Sequence, residues 1–163
     1  MRYNKVRKMD ISNGPGVRVS VFFQGCMFHC KSCFNSETWD FNLGKEYTID
    51  IENKILEFCK EDYINGLSIL GGEPMHPLNI DGTIHLARRF KEMYPKKTLW
   101  VWSGYLFDEI PNKEIFKYID VLVDGRFMVD KKDPRLKYAG STNQRVIDVK
   151  KTIESGKIIL YED

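Results

Sequence analysis

Four short runs of β-branched and aromatic residues, each ending on a glycine- or cysteine-rich turn, constrain the fold of this chain more than any other feature. Val17–Phe23 reads as the first strand and runs directly into Gly25-Cys26. Gly66–Leu70 reads as a buried strand ending at Gly71-Gly72, Thr98–Trp102 as a third ended by Ser103-Gly104, and Asp120–Val123 as a fourth ending at Asp124-Gly125. Helical stretches separate them. Asp50–Tyr63 places Ile51, Ile55 and Cys59 at i, i+4 and i+8 behind a Thr48/Asp50 capping region. Ile80–Tyr94 carries Ile84, Leu86, Ala87, Phe90 and Met93 at helical spacing up to Pro95, and Lys113–Ile119 makes a weaker helix behind Pro111. Strands alternating with helices predict βαβ units and a parallel sheet, hence an α/β fold. A chain of 163 residues reads as one domain, 1–163, too short for a closed eightfold barrel. The tail from Lys131 is mostly polar, with only a strand or helix start at Arg145–Val149.

In sheets of this class, ligands bind at the carboxyl ends of the parallel strands. Cys26, Cys30 and Cys33 form a CxxxCxxC array at the first of these ends. Three thiolates in so short a loop can wrap one metal centre, yet a [4Fe–4S] cluster normally takes four cysteines. Three cysteines therefore point to an open iron, as catalytic metal sites keep a position free. The alternative is a structural zinc site completed by His29 or Cys59. His29 lies inside the tight loop, where its neighbours restrict its reach. Cys59 sits on the buried face of a helix, and free cysteine is among the most buried residue types, so core packing is the expectation. Trp100 and Trp102 read as one core residue and one residue beneath a helix or near a partner.

Composition excludes several classes. A net charge of +2, with basic and acidic residues interspersed, gives no footprint for nucleic acid. No apolar run approaches the ~18 residues that span a bilayer, and the basic N-terminus lacks the apolar core of a signal peptide. A soluble, cytoplasmic protein is the expectation, and closely spaced thiols in a reducing compartment fit metal binding better than disulfides.

CxxxCxxC after the first strand, with Gly71-Gly72-Glu73-Pro74 after the second, resembles the radical S-adenosylmethionine superfamily. Asp10 to Arg18 leading into Phe22-Phe23-Gln24-Gly25-Cys26 is similar to the opening of the glycyl-radical-enzyme activases. Asn35-Ser36-Glu37-Thr38-Trp39, Trp100 to Tyr105, Val121 to Phe127 and Gly140-Ser141-Thr142-Asn143-Gln144-Arg145 look like the activases of anaerobic ribonucleoside-triphosphate reductase. The match runs from about Asp10 to Val149. Ser32 departs from the superfamily pattern, where many members carry an aromatic; Phe34 can supply the ring from the other side.

This resemblance implies an incomplete β/α barrel with parallel strands. It implies a [4Fe–4S] cluster on Cys26, Cys30 and Cys33 whose fourth iron chelates S-adenosylmethionine. One electron from the reduced cluster then cleaves that cofactor, and the resulting 5′-deoxyadenosyl radical takes hydrogen from a glycine of the large subunit of anaerobic ribonucleoside-triphosphate reductase. The electron donor implied is a reduced flavodoxin or a ferredoxin-type protein, and a homodimer is compatible. No catalytic acid or base is expected, since the cofactor carries the hard step. The expected cofactor contacts are Gly71 and Gly72, whose backbone can approach the methionyl ammonium, and Glu73, a carboxylate partner for that cation. Ser32, Cys33 and Phe34 are expected to line the adenosyl part. Ser103 reads either as a ribose contact or as a turn. Asp124 and Arg126 read either as contacts to the methionyl carboxylate or ribose, or as a surface salt bridge. His76 is expected to cap or pack. Activation of another glycyl-radical enzyme, or small-molecule radical chemistry, are the alternative activities.

Overall fold

The computed structural model describes residues 1–163. Its strands are β1 (Arg2–Asp10), β2 (Val17–Phe23), β3 (Lys45–Glu46), β4 (Ile64–Gly71), β5 (Thr98–Trp102), β6 (Val121–Asp124) and β7 (Arg145–Asp148). The helices are α1 (Ile49–Phe58), α2 (Ile80–Met93) and α3 (Val149–Ser155), with short 3-10 turns between. All seven strands form one sheet in the order β3-β1-β2-β4-β5-β6-β7. β2, β4, β5 and β6 run parallel in the centre, whereas the flanking pairs β3–β1, β1–β2 and β6–β7 are antiparallel. The sheet is mixed α/β and open rather than closed on itself.

The period of two along each central strand sorts its side chains onto two faces. Val19, Val21 and Phe23 of β2, Leu67 and Ile69 of β4, Leu99 and Val101 of β5, and Leu122 of β6 join one apolar core. Ile55 and Leu56 of α1, Ile84, Ala87 and Phe90 of α2, and Ile115 of the 3-10 turn Lys113–Lys117 cover it. Cys59 is fully buried in this core, and burial pushes its thiol up to about 12. The opposite face carries Arg18, Ser20, Ser68, Trp100 and Trp102 instead. Arg18 is buried among neutral oxygens: it donates to Ser68 Oγ (2.8 Å), Thr98 Oγ1 (2.9 Å) and the carbonyls of Pro15, Leu67 and Thr98. Desolvation lowers its pKa to about 10, yet every N–H has an acceptor. Through Ser68 Oγ, which also donates to the Asn13 carbonyl, Arg18 anchors the loop between β1 and β2.

Val17–Phe23, Thr98–Trp102 and the α2 helix lie where the sequence puts them, within a residue. Thr48 caps α1, accepting from Ile51 N. Lys113–Lys117 forms a 3-10 helix rather than an α-helix, and α1 stops at Phe58, short of Tyr63. Two strands had no sequence signal: β1 turns only Tyr3 and Val6 to the core among mostly polar residues, and β3 has only two residues. The Arg145–Val149 signal covers β7 and the start of α3, a short amphipathic helix. Trp100 and Trp102, two residues apart, share one face with ring centroids 5.8 Å apart, yet Trp100 is a buried core residue as expected, whereas Trp102 is half-buried and lines a cavity.

Candidate metal centre

β2 delivers the chain to the cysteine loop, and backbone bonds pin both sides of it. Gly25 N donates to Thr38 O (2.6 Å) and Cys26 N to Trp39 O (3.0 Å). The Gln24 amide donates to the carbonyls of Glu37 (3.0 Å) and Asp40 (2.9 Å), which closes the loop at its root. His29 and Ser32 take positive φ, the cost of so tight a wrap for non-glycine residues. His29 stacks on Trp39 at 4.6 Å and 7°. Each cysteine sulfur meets backbone N–H groups: Cys33 Sγ accepts from Asn35 N at 3.4 Å, Phe28 and His29 N–H favour the Cys26 thiolate, and Phe127 N–H that of Cys30. Burial outweighs those amides and raises Cys26 to about 11, and raises Cys30 as well. Cys26 and Cys30 thus rest as neutral thiols, and a bound metal's positive charge is what ionises them. No three His, Cys, Asp or Glu side chains converge on a point that a single ion would fill. The three thiols instead line one wall of a cavity of about 430 Å³. A donor set of three thiols ringed by amides suits an iron–sulfur cluster in its chemistry.

The loop after β4 is sewn to the root of the cysteine loop. Gly72 N donates to Phe23 O (2.9 Å) and Glu73 N to Gly25 O (2.7 Å). Gly71 turns at φ 116°, a conformation that favours glycine. A Cβ on Gly72 would stand 2.5 Å from Gly25 O and 2.8 Å from Thr38 O, so glycine is required here by the protein's own backbone. Asn79 Nδ2 bridges the Gln24 and Glu73 carbonyls at 3.2 and 3.0 Å. The Glu73 carboxylate is buried and accepts from Met75 N (2.9 Å), Gly104 N (2.6 Å) and Ser103 Oγ (2.7 Å). Burial pushes its pKa up to about 7 against the pull of those three donors. It ties the ends of β4 and β5 together.

All four parallel strand ends reach the cavity wall: Cys26, Cys30, Cys33 and Phe34 from β2, Gly71–Glu73 from β4, Ser103 and Gly104 from β5, and Gly125 to Phe127 from β6. Within that wall the expected residues fare differently. Ser103 directs its hydroxyl to Glu73 and accepts from Tyr105 N, the pattern of a turn. Asp124 is buried behind the wall, where it pairs bidentately with Arg145 (3.0 and 2.6 Å) and accepts from Phe107 N, so its carboxylate is engaged away from the cavity. Arg126 has its guanidinium over the Phe28 ring at 4.5 Å and lines the cavity. Phe34 is a lining residue packed on Phe127, whereas Ser32 is exposed and outside the lining. His76 packs on Phe41 and accepts from Leu78 N, outside the cavity lining. Asn79 and Gln24 were missed in the sequence, because nothing local marks an amide that will bridge two distant carbonyls.

A family model for a 4Fe-4S single cluster domain matches residues 12–147. The anaerobic ribonucleoside-triphosphate reductase-activating protein of Vibrio cholerae is 41% identical over 148 residues, covering 88% of this chain and 96% of its own. That of Escherichia coli is 39% identical over 150 residues, covering 90% and 97%. The chain belongs to this activating-protein family. A relative in phage T4, 36% identical over 146 residues, extends the family to a virus at 90% and 93% coverage. The matched span of the 4Fe-4S domain includes all three cysteines, the Gly71-Gly72-Glu73 loop and the β6 end, so the family's cluster domain and the cavity coincide in the chain.

Proposed function

We propose that the chain is a radical S-adenosylmethionine activase that generates a glycyl radical on the large subunit of an anaerobic ribonucleoside-triphosphate reductase. The observation that carries the proposal is the cavity wall on which three amide-ringed thiols face the Gly71–Glu73 loop and Arg126. Cys26, Cys30 and Cys33 would hold a [4Fe–4S] cluster. When bound, the cluster supplies one electron to S-adenosylmethionine, whose cleavage yields methionine and a radical that takes hydrogen from the partner's glycine. The protein's part is placement. The backbone of Gly71-Gly72 offers groups for the methionyl ammonium, Arg126 a cation for the carboxylate, and Phe34 an apolar surface for the adenosyl ring. The cavity falls within the ~300–1,000 Å³ of small-molecule sites and has one side bounded by the long loop 126–143, beside which a partner segment can enter.

Helices on only one face of the central strands support an incomplete barrel within the single domain 1–163, the other face being the cavity side. No helix is long and apolar enough to cross a membrane. We place the protein in the cytoplasm, reduced by a flavodoxin or ferredoxin-type donor. The test is anaerobic reconstitution with iron and sulfide, followed by electron paramagnetic resonance of the reduced protein with and without S-adenosylmethionine. A cluster signal that the cofactor shifts supports the reading. A cluster indifferent to the cofactor, or a protein that takes zinc and no cluster, overturns it.

A further inference from the structure

Asn143, Gln144 and Arg145 face the end of β6 residue for residue. The last ladder pair between β6 and β7 is Asp124 with Arg145, and there Arg145 Nε and Nη2 grip the Asp124 carboxylate. Beyond that pair Gly125 turns at φ 98°, so main-chain pairing stops. Side chains continue the register. Gln144 Nε2 donates to Gly125 O (2.9 Å), while its Oε1 accepts from Gly140 N (2.8 Å) and Ser141 N (3.1 Å). Asn143 Nδ2 donates to Arg126 O (2.8 Å). Three successive side chains thus hold three successive residues.

The segment they hold meets both halves of the cysteine loop. Arg126 lies over Phe28, which stands between Cys26 and Cys30, and Phe127 packs at 5.1 Å on Phe34, which follows Cys33. We propose that Asn143, Gln144 and Arg145 are positioning residues for the cluster: they fix the Arg126–Phe127 segment against the cysteine loop so that the Arg126 charge raises the cluster's reduction potential. The proposal rests on the cluster assignment made above. Adding one electron from the external donor makes the cluster more negative, and a cation fixed on the same cavity wall as the three thiols favours that state.

The test is the midpoint potential of the reconstituted full-length protein, measured by anaerobic reductive titration with the cluster's spin signal as readout and iron counted in parallel. Gln144→Met keeps the side chain's size and neutrality, which matters because Gln144 itself lines the cavity, but removes its bonds to Gly125, Gly140 and Ser141. It is expected to hold iron as wild type while making reduction about tenfold less favourable, a shift of about 59 mV to more negative potential for one electron. Arg126→Gln removes the charge without touching the clamp and is expected to shift the potential in the same direction. Arg135→Ala, which breaks an exposed pair with Asp133 in the same long loop, is expected to leave the potential alone. Wild-type potentials in both Gln144→Met and Arg126→Gln at full iron content overturn the proposal, as does an equal shift in Arg135→Ala. If Gln144→Met loses iron, Arg126→Gln decides, and an unchanged potential there overturns it. A cluster that ignores S-adenosylmethionine would refute the proposed function and still leave these shifts measurable.

Discussion

Gly72→Ala separates two accounts of the Gly-Gly-Glu loop. In the sequence, Gly72 reads as a residue without a side chain so that a cofactor can approach its backbone. In the structure, the missing Cβ points at the protein: the nearest atoms are Gly25 O at 2.5 Å, Gly25 C at 2.8 Å and Thr38 O at 2.8 Å. None is the end of a flexible side chain. The backbone must therefore open from 2.5 Å to the 3.4 Å of an ordinary contact. Overpacking of this kind costs roughly 1–3 kcal/mol. Separation also breaks the bond from Glu73 N to Gly25 O, and a buried donor left without a partner costs roughly 1–3 kcal/mol more. A domain with ~5–15 kcal/mol of stability survives that loss, so the outcome is a displaced cysteine loop rather than an unfolded chain. Iron per chain after reconstitution and affinity for S-adenosylmethionine are expected to fall together, with a reduced denaturation midpoint. Full iron content and unchanged stability, with only cofactor binding weakened, would refute the steric argument and leave cofactor approach as the reason for a glycine at this position.

Replacing Cys26, Cys30 or Cys33 by Ser should remove the cluster or leave it labile, because oxygen is a poor ligand to iron in such clusters; Cys59→Ser should keep the iron and lower stability by roughly 1–3 kcal/mol for a hydroxyl buried in the core, as measured by iron analysis and denaturation. In the metal-free protein, Glu73 binds a proton more tightly folded than unfolded, so its contribution to stability is present below pH 4.5 and is lost as pH rises to about 7. Denaturation across that window should show the decline in wild type and not in Glu73→Gln, and a rise in its place would mean the three donors hold Glu73 as an anion. Asp124→Ala should destabilise the fold by stranding Arg145, whereas Arg126→Ala should leave stability unchanged and weaken S-adenosylmethionine binding by at most ~1.5–3 kcal/mol, which calorimetric titration under anaerobic conditions checks.

Much of the architecture was legible because the central strands are buried and β-branched, and because each ends on an abrupt change of composition. Val17–Phe23 running into Cys26 and Thr98–Trp102 running into Ser103 are such junctions, and their shared edge follows from parallel topology alone. β1 was not legible: only Tyr3 and Val6 face the core among charged and polar neighbours, too few to signal a strand, and its place is decided by pairing with β2. At the site, residues fixed by chemistry could be read, residues fixed by distant partners could not. Cysteine spacing marks a metal centre wherever the chain goes. Asp124 reads equally as a ligand contact or a surface salt bridge until Arg145, distant in sequence, takes its carboxylate in a buried pair, and Glu73 gains its role as a tie between strands only when Ser103 and Gly104 arrive beside it. The sequence Asn143-Gln144-Arg145 carried a family resemblance without a mechanism, because its meaning is the register with Asp124-Gly125-Arg126.

The central claim is that the three thiols and the cavity beside them serve radical transfer to a protein. The most direct measurement mixes the reconstituted, reduced protein with S-adenosylmethionine and the large subunit of anaerobic ribonucleoside-triphosphate reductase in the absence of oxygen. The expected result is a glycyl-radical doublet on the reductase, with methionine and 5′-deoxyadenosine released and neither formed by Cys30→Ser. Cofactor cleavage with no radical on that reductase, but with a radical on another glycyl-radical enzyme, would contradict the assigned partner, and no cleavage by a fully loaded cluster would contradict the chemistry itself.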